Sequence, residues 1–254
     1  MSNYIVELQS ISKNFGGVQA LRDVSMGIAA GEVLGLVGDN GAGKSTLVKL
    51  ISASLRPDSG SLVLAGARAY PTSPLGAQRA GINVVYQDLA LAPNLTAVGN
   101  IFLGRELKRW RWLGPLSVLD EPSMYEHATR SIKELGLVSS EDLSIPVANM
   151  SGGQRQIVAI ARAIFASCRV LILDEPTAAL GVAERARVLA MIKELSLRAN
   201  IAIMVVSHNI EELMSVVDRI VVLRLGRVVA VFEKAQQASA LDVVAAITGV
   251  GVAY

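Results

Sequence analysis

The sequence predicts an α/β fold: a mainly parallel sheet covered by helices on both faces and interrupted by a helical insertion. Three observations carry that expectation. Short apolar runs ending in a glycine or a carboxylate are each followed by residues at helical spacing, the alternation that builds parallel sheets. Between one such run and its helix lies the glycine-rich stretch GDNGAGKST, Gly38 to Thr46. The middle of the chain, from Gln87 to Arg169, contains no convincing buried strand.

Taken in order, YIVELQSISKNF mixes β-branched and polar residues and reads as a strand. GEVLGLVGDN is a short apolar run ending in glycine, the form of a strand buried on both faces. From Lys44, KSTLVKLISASL has helical spacing and stops before Pro57. GSLVLAG and GINVVYQ read as two further short strands. RVLILDEP and NIAIMVVSH are strongly apolar strands, followed by helical stretches over 182–198 and 209–216. DRIVVLRLGRVVAVF reads as a late hairpin turning near Gly226. Within the insertion, helices are expected over 96–103, 123–135 and 152–166, and RELKRWRWLGPLSVLDEP reads as an exposed loop.

Bulk properties narrow the function classes. The 254 residues are 52% hydrophobic, enough for a sizeable core, but only 4% aromatic, so that core must be mostly Val, Ile, Leu and Ala. No uncharged apolar run approaches the ~20 residues that span a bilayer. The opening MSNYIVELQS lacks the basic and apolar regions of a secretory signal. Cys168 is the single cysteine, so an internal disulfide is excluded and a reducing compartment is expected. The balance of 24 basic against 22 acidic residues does not point to nucleic acid.

GDNGAGKS fits G-x-x-x-x-G-K-[ST] at Gly38, Gly43, Lys44 and Ser45. Glycines let Asp39, Asn40, Gly41 and Ala42 curl their backbone N–H groups around phosphate oxygens, at a helix start whose dipole favours an anion. Lys44 is expected to bridge the β- and γ-phosphates, and Ser45 to ligate Mg²⁺. VLILDEP puts Asp174 at a strand end, where a carboxylate can hold Mg²⁺ through water, and Glu175 where it can orient or deprotonate an attacking water. A second glycine device, NMSGGQRQIVAIARA, opens another helix: Ser151 is a good N-cap, and Gly152 and Gly153 leave the first amides open to an anion. Ile157, Ile160, Ala161, Ile164 and Phe165 form the apolar stripe that fixes that helix.

Together these residues resemble the ATP-binding cassette (ABC) ATPases, the motor subunits of membrane transporters. GDNGAGKST is similar to their Walker A motif and VLILDE to Walker B. MSGGQ, Met150 to Gln154, is similar to the LSGGQ signature with Met for Leu. Gln87 matches the Q-loop, His208 the switch histidine, and Phe15 lies where an aromatic usually stacks on adenine. The resemblance implies a P-loop (RecA-like) core with an antiparallel β subdomain and an inserted helical subdomain. It divides one domain into 1–87 and 169–232 as core with β subdomain, 88–168 as helical subdomain, and 233–254 as a helical tail. It further implies ATP and Mg²⁺ as cofactors, with Ser45, Gln87 and Asp174 at the metal and Phe15, Gly38 and Thr46 among the nucleotide contacts. Glu175 and His208 become the catalytic pair, and Ser151, Gly152, Gly153 and Gln154 receive the nucleotide of a second copy.

NLTAVGNIFLGRE, AGINVVYQDL and ILDEPTAALG resemble the monosaccharide importers of bacteria (ribose, xylose or fructose). That branch implies a peripheral subunit on the cytoplasmic face of the plasma membrane. Its expected partners are a second ATPase copy (identical or a paralogue), sugar permease subunits and, indirectly, an extracytoplasmic solute-binding protein, with no nucleic acid. With 46 residues after His208, the regulatory β-domain of maltose-type ATPases is not expected. An importer of another solute, such as branched-chain amino acids, and a non-transport ABC ATPase are the alternatives. One departure stands out: after EPTAAL most of the family has Asp in a loop that touches the partner, and this chain has Gly181. His127 is assigned no role.

Overall fold

Strands that are apolar at every position must be covered on both faces, and the central sheet is built from such strands. The computed structural model describes residues 4–64, 66–68, 71–109, 117–134, 143–165 and 167–250. Strands β3 (Val33–Val37), β6 (Ile82–Val85), β9 (Val170–Asp174), β10 (Ala202–Val206), β11 (Arg219–Arg224) and β12 (Arg227–Phe232) form one sheet in the order β12-β11-β3-β10-β9-β6. All its pairs are parallel except the β11–β12 hairpin, which turns at Leu225 and Gly226.

The period of two divides these strands cleanly between two cores. Leu34, Leu36, Val170, Ile172, Ala202, Met204 and Val206 face one side. Helix α1 (Lys44–Ile51) and a second, antiparallel sheet close that side. Val33, Val37, Leu171, Leu173, Ile203 and Val205 face the other. There they meet α6 (Val182–Ala199), α7 (Ile210–Met214), α8 (Ala240–Thr248) and the helices of the insertion.

The second sheet has the order β2-β1-β4-β5, from β1 (Tyr4–Phe15), β2 (Val18–Ala29), β4 (Ser59–Leu64) and β5 (Ala67–Arg68). Sequence reading leaves β2 unassigned. Its buried residues Leu21, Val24 and Ile28 are spaced by three and four, as on a helix, because the β1–β2 ladder carries register shifts that break the alternation. The two sheets are latched by Arg219, whose Nε donates to Glu32 Oε1 at 2.7 Å and whose guanidinium also donates to the Gly27 carbonyl. Both partners of that pair are largely buried, at 9% and 13% side-chain exposure.

The inserted helices are α3 (Ala97–Ile101), α4 (Glu121–Glu134) and α5 (Gly152–Ile164), with a short helix α2 (Pro74–Arg79) before them. The expected exposed loop carries a two-residue ladder, β7 (Lys108–Arg109) with β8 (Val118–Leu119), all four residues exposed. Trp110 and Trp112 lie outside the described residues. The insertion is tied to the segment after β6 through Arg162, which donates to the Ala90 carbonyl at 2.7 Å and whose own carbonyl accepts from Arg105 at 2.9 Å. Among the described residues, no helix is long and apolar enough to cross a membrane.

Candidate active site

The carboxyl ends of β3 and β9 open into one cleft of about 600 Å³. The loop after β3 enters α1 through two backbone positions that only glycine fills. Gly38 has φ +155 and a Cβ there would sit 2.1 Å from the Leu223 carbonyl oxygen; Gly43, the N-cap, has φ +108 and a Cβ would sit 2.7 Å from the Ala20 oxygen. No side chain caps α1 and no acid occupies its first turn, so its leading amides and dipole face the cleft. Residues 40–46 line it, while Gly38 and Asp39 shape the turn from behind.

Lys44 is buried, with its ammonium donating to the Gly38 carbonyl at 2.6 Å and the Asp39 carbonyl at 3.0 Å. Burial pulls its pKa below the usual lysine value, against the pull of Glu175, Asp39 and Asp174. Asp174 closes β9, and burial raises its carboxyl above the usual range although Lys44 and His208 oppose the rise. Glu175 follows with φ 54, its amide bonded to the Val206 carbonyl at 2.9 Å. Burial raises its carboxyl too, with His208 the largest opposing influence. Its Oε1 is buried without a hydrogen-bond partner and lies 3.2 Å from His208 Nε2, outside hydrogen-bond geometry. His208, after β10, is 59% exposed and lines the cleft, as does Gln87 after β6.

The structure therefore brings together Asn40 to Thr46, Gln87, Asp174, Glu175 and His208. It does not bring Phe15 with them. That ring ends β1, 49% exposed and 5.9 Å from the Lys13 ammonium, which pairs with Asp58 at 2.6 Å; the outer wall of the cleft is Val18, Gln19, Arg22 and Leu225 instead. None of those four falls in a motif, so only the fold could reveal them.

Ser151 to Gln154 stand apart from this cleft. Ser151 caps α5 in a reciprocal box with Gln154, whose amide donates to Ser151 Oγ at 3.3 Å. Ser151 is exposed, Gly152 and Gln154 half-buried, and Gly153 buried beneath Glu184 of α6.

An uncapped glycine-rich helix start, a buried lysine and strand-end carboxylates in one cleft define a P-loop nucleotide-binding protein. The ABC transporter family profile matches residues 21–178. The fructose import ATP-binding protein FrcA of Rhizobium meliloti is 41% identical over 96% of this chain and 94% of its own length. The xylose/arabinose import ATP-binding protein XylG of Sulfolobus acidocaldarius is 41% identical over 89% of this chain and 86% of its own. Among solved structures, a dimeric post-hydrolysis state of the ATP-binding cassette MJ0796 bound to ADP and Pi aligns with TM-score 0.72 and 25% identity, over 89% of this chain and 97% of that one. The chain belongs to the ABC transporter family and is one of its ATP-binding cassettes.

Proposed function

We propose that this chain is the ATP-hydrolysing subunit of a monosaccharide importer, working as a two-copy sandwich around two ATPs. The single observation that carries the mechanism is the physical separation of two anion-binding devices. The cleft groups enclose a triphosphate from one side, and the α5 start, outside that cleft, is exposed to another molecule. A head-to-tail pair gives each nucleotide one loop and one α5 start. The sugar reading rests on relatives named for fructose and for xylose and arabinose import. Those names favour it over amino-acid import and over a non-transport role.

Each residue then has a task. The amides of residues 40–46 and Lys44 hold the phosphates, and Arg22 and Gln19 face the outer part of the nucleotide where Phe15 does not reach. Ser45, Asp174 and Gln87 suit Mg²⁺: all three line the cleft, and a buried carboxylate with raised pKa is an anion that lacks compensation. Bound there, the ion would neutralise charge on the β- and γ-phosphates. Glu175 is the general base. Burial lifts its carboxyl toward neutrality, where a base accepts a proton from water most effectively, and its unpartnered Oε1 is free to do so. His208 borders the γ-phosphate end and orients that carboxylate. Loss of the γ-phosphate removes the anion shared by both copies, so the pair loosens.

The subunit is placed on the cytoplasmic face of the membrane. The helical insertion touches the permease, and Gln87, joined to the insertion through Ala90 and Arg162, reports phosphate occupancy to it. An extracytoplasmic binding protein delivers the solute. In the test, Glu175→Gln loses about 10²–10⁴-fold in turnover yet binds ATP and is trapped as a dimer in light scattering. A monomer at saturating ATP rejects the sandwich. Reconstitution with the permease, comparing labelled fructose, xylose and ribose with leucine, tests the cargo.

A further inference from the structure

Two parts of the subunit that serve different nucleotides in the proposed sandwich are tied together by one arginine. The first part is α7, which starts directly after His208. At five residues it is too short to hold its own position, and it is fixed from outside. Its N-cap Asn209 accepts from the Glu212 amide at 3.2 Å, the Asn209 amide donates to Ser207 Oγ at 3.1 Å, and Leu213 is buried. The second part is the turn from Glu175 to Gly181. The Ala178 amide donates to the Glu175 carbonyl at 3.1 Å and the Leu180 amide to that of Thr177 at 3.3 Å, with Ala179 between them at φ 61. A residue other than glycine is strained there, and persists only where its surroundings over-determine it. The Leu180 side chain closes the turn onto the start of α5: it is buried, and a Cβ on Gly152 would lie 2.9 Å from its Cδ2.

Arg185, in the first turn of α6, spans the gap. Its Nε donates to the Leu180 carbonyl at 2.8 Å and its Nη1 to Glu212 Oε1 at 2.7 Å, while its own amide donates to the Gly181 carbonyl at 2.9 Å. The planar fork of a guanidinium fixes the angle between its two bonds, so the turn and the helix keep a set relation. The pair with Glu212 is partly exposed, 37% and 23% at the two side chains, and adds little stability of its own. We infer that Arg185 is a positioning residue that makes the His208 segment and the Leu180 contact on the α5 start move together. The inference rests on the two-copy reading above and adds the coupling between its two sites. In that reading His208 borders the subunit's own γ-phosphate and the α5 start receives the partner's. Arg185 is the bonded link between them, so a change at one site is felt at the other.

The test compares Glu175→Gln with the same chain carrying Arg185→Ala, Glu212→Ala or both. Fluorescent-ATP titration reads the nucleotide affinity of the dilute monomer, and light scattering reads the ATP concentration at half-dimerisation. Arg185→Ala leaves monomer affinity within about twofold and raises the half-dimerisation concentration by about fivefold or more, the lower end of coupling between sites. Glu212→Ala raises it too, and the double variant is no worse than Arg185→Ala alone, because Glu212 acts through the arginine. Melting temperatures stay within about 2–4 °C of the parent, as the loss of a partly exposed pair predicts. An unchanged half-dimerisation concentration, additive effects of the two substitutions, or monomer affinity that falls in step overturns the inference. A larger drop in melting temperature also overturns it, since the pair is then a structural brace. A Glu175→Gln parent that never dimerises rejects the sandwich, and this inference with it, before Arg185 is touched.

Discussion

The phosphate cleft and the start of α5 are both glycine-led helix termini, yet their electrostatics run in opposite directions. In the cleft, burial penalises charge: Lys44 is shifted down, and Asp174 and Glu175 are shifted up. At α5, hydrogen bonding rewards charge: Glu184 is shifted down on an open surface. The first device is desolvated and under-compensated, and is poised for a ligand of its own. The second is capped at home: Ser151 Oγ accepts from the Gln154 backbone amide, and Gly153 lies packed beneath Glu184. Such a division suits a machine that binds ATP readily as a single subunit and closes only when two meet.

The largest expected effect separates the two devices outright. Lys44→Ala removes the only cation the structure places within the cleft's phosphate loop, and ATP affinity of the isolated subunit falls by about 100-fold or more, the scale of a lost charge-assisted contact. Fluorescent-ATP titration reads it directly. Ser151→Ala leaves that monomer affinity within about twofold, because Ser151 does not line the cleft, but cuts dimer-dependent turnover by about 10-fold or more through the lost hydroxyl donor. If Ser151→Ala weakened monomeric ATP binding as strongly as Lys44→Ala, the two devices would be one site.

Most of the cleft was legible in the sequence. Gly38 to Thr46, Asp174, Glu175 and His208 occupy motif positions at the ends of apolar runs, and a buried parallel strand delivers its last residue to the same edge of the sheet whatever surrounds it. What escaped notice depends on packing between segments distant in sequence. Strand β2 hides its period because bulges shift its register against β1. Helix α2, six residues with Ser73 as N-cap, is too short to show a periodicity. Arg22 and Gln19 reach the cleft only because β2 folds across its mouth, and Glu184 reads from sequence as one more acid in a helical stretch. Phe15 differs from the rest: its position in the chain matches the family's aromatic, while its ring lies beside Lys13 and does not line the cleft.

The opposite charge shifts yield the smallest prediction, one read from thermal melts without nucleotide. The folded-state pKa of Glu175 is raised, so its contribution to stability is complete below the unfolded value near 4.3 and is lost as pH rises through the folded value. At neutral pH its ionised form therefore costs the fold, and Glu175→Gln melts higher than the parent by about 2–4 °C, the shift ~1 kcal/mol produces in a chain of this size. That advantage fades as the pH is lowered and the native carboxyl protonates. The folded-state pKa of Glu184 is depressed, so its contribution is present above the unfolded value and lost as pH falls through the folded one. Glu184→Gln accordingly melts slightly lower than the parent at neutral pH and converges with it in acid. Two variants that each remove one carboxylate charge should bracket the parent from opposite sides at pH 7, and on acidification Glu175→Gln should converge with it first and Glu184→Gln only at lower pH. If both shift the melt in the same direction, the electrostatic contrast between the two helix starts is wrong.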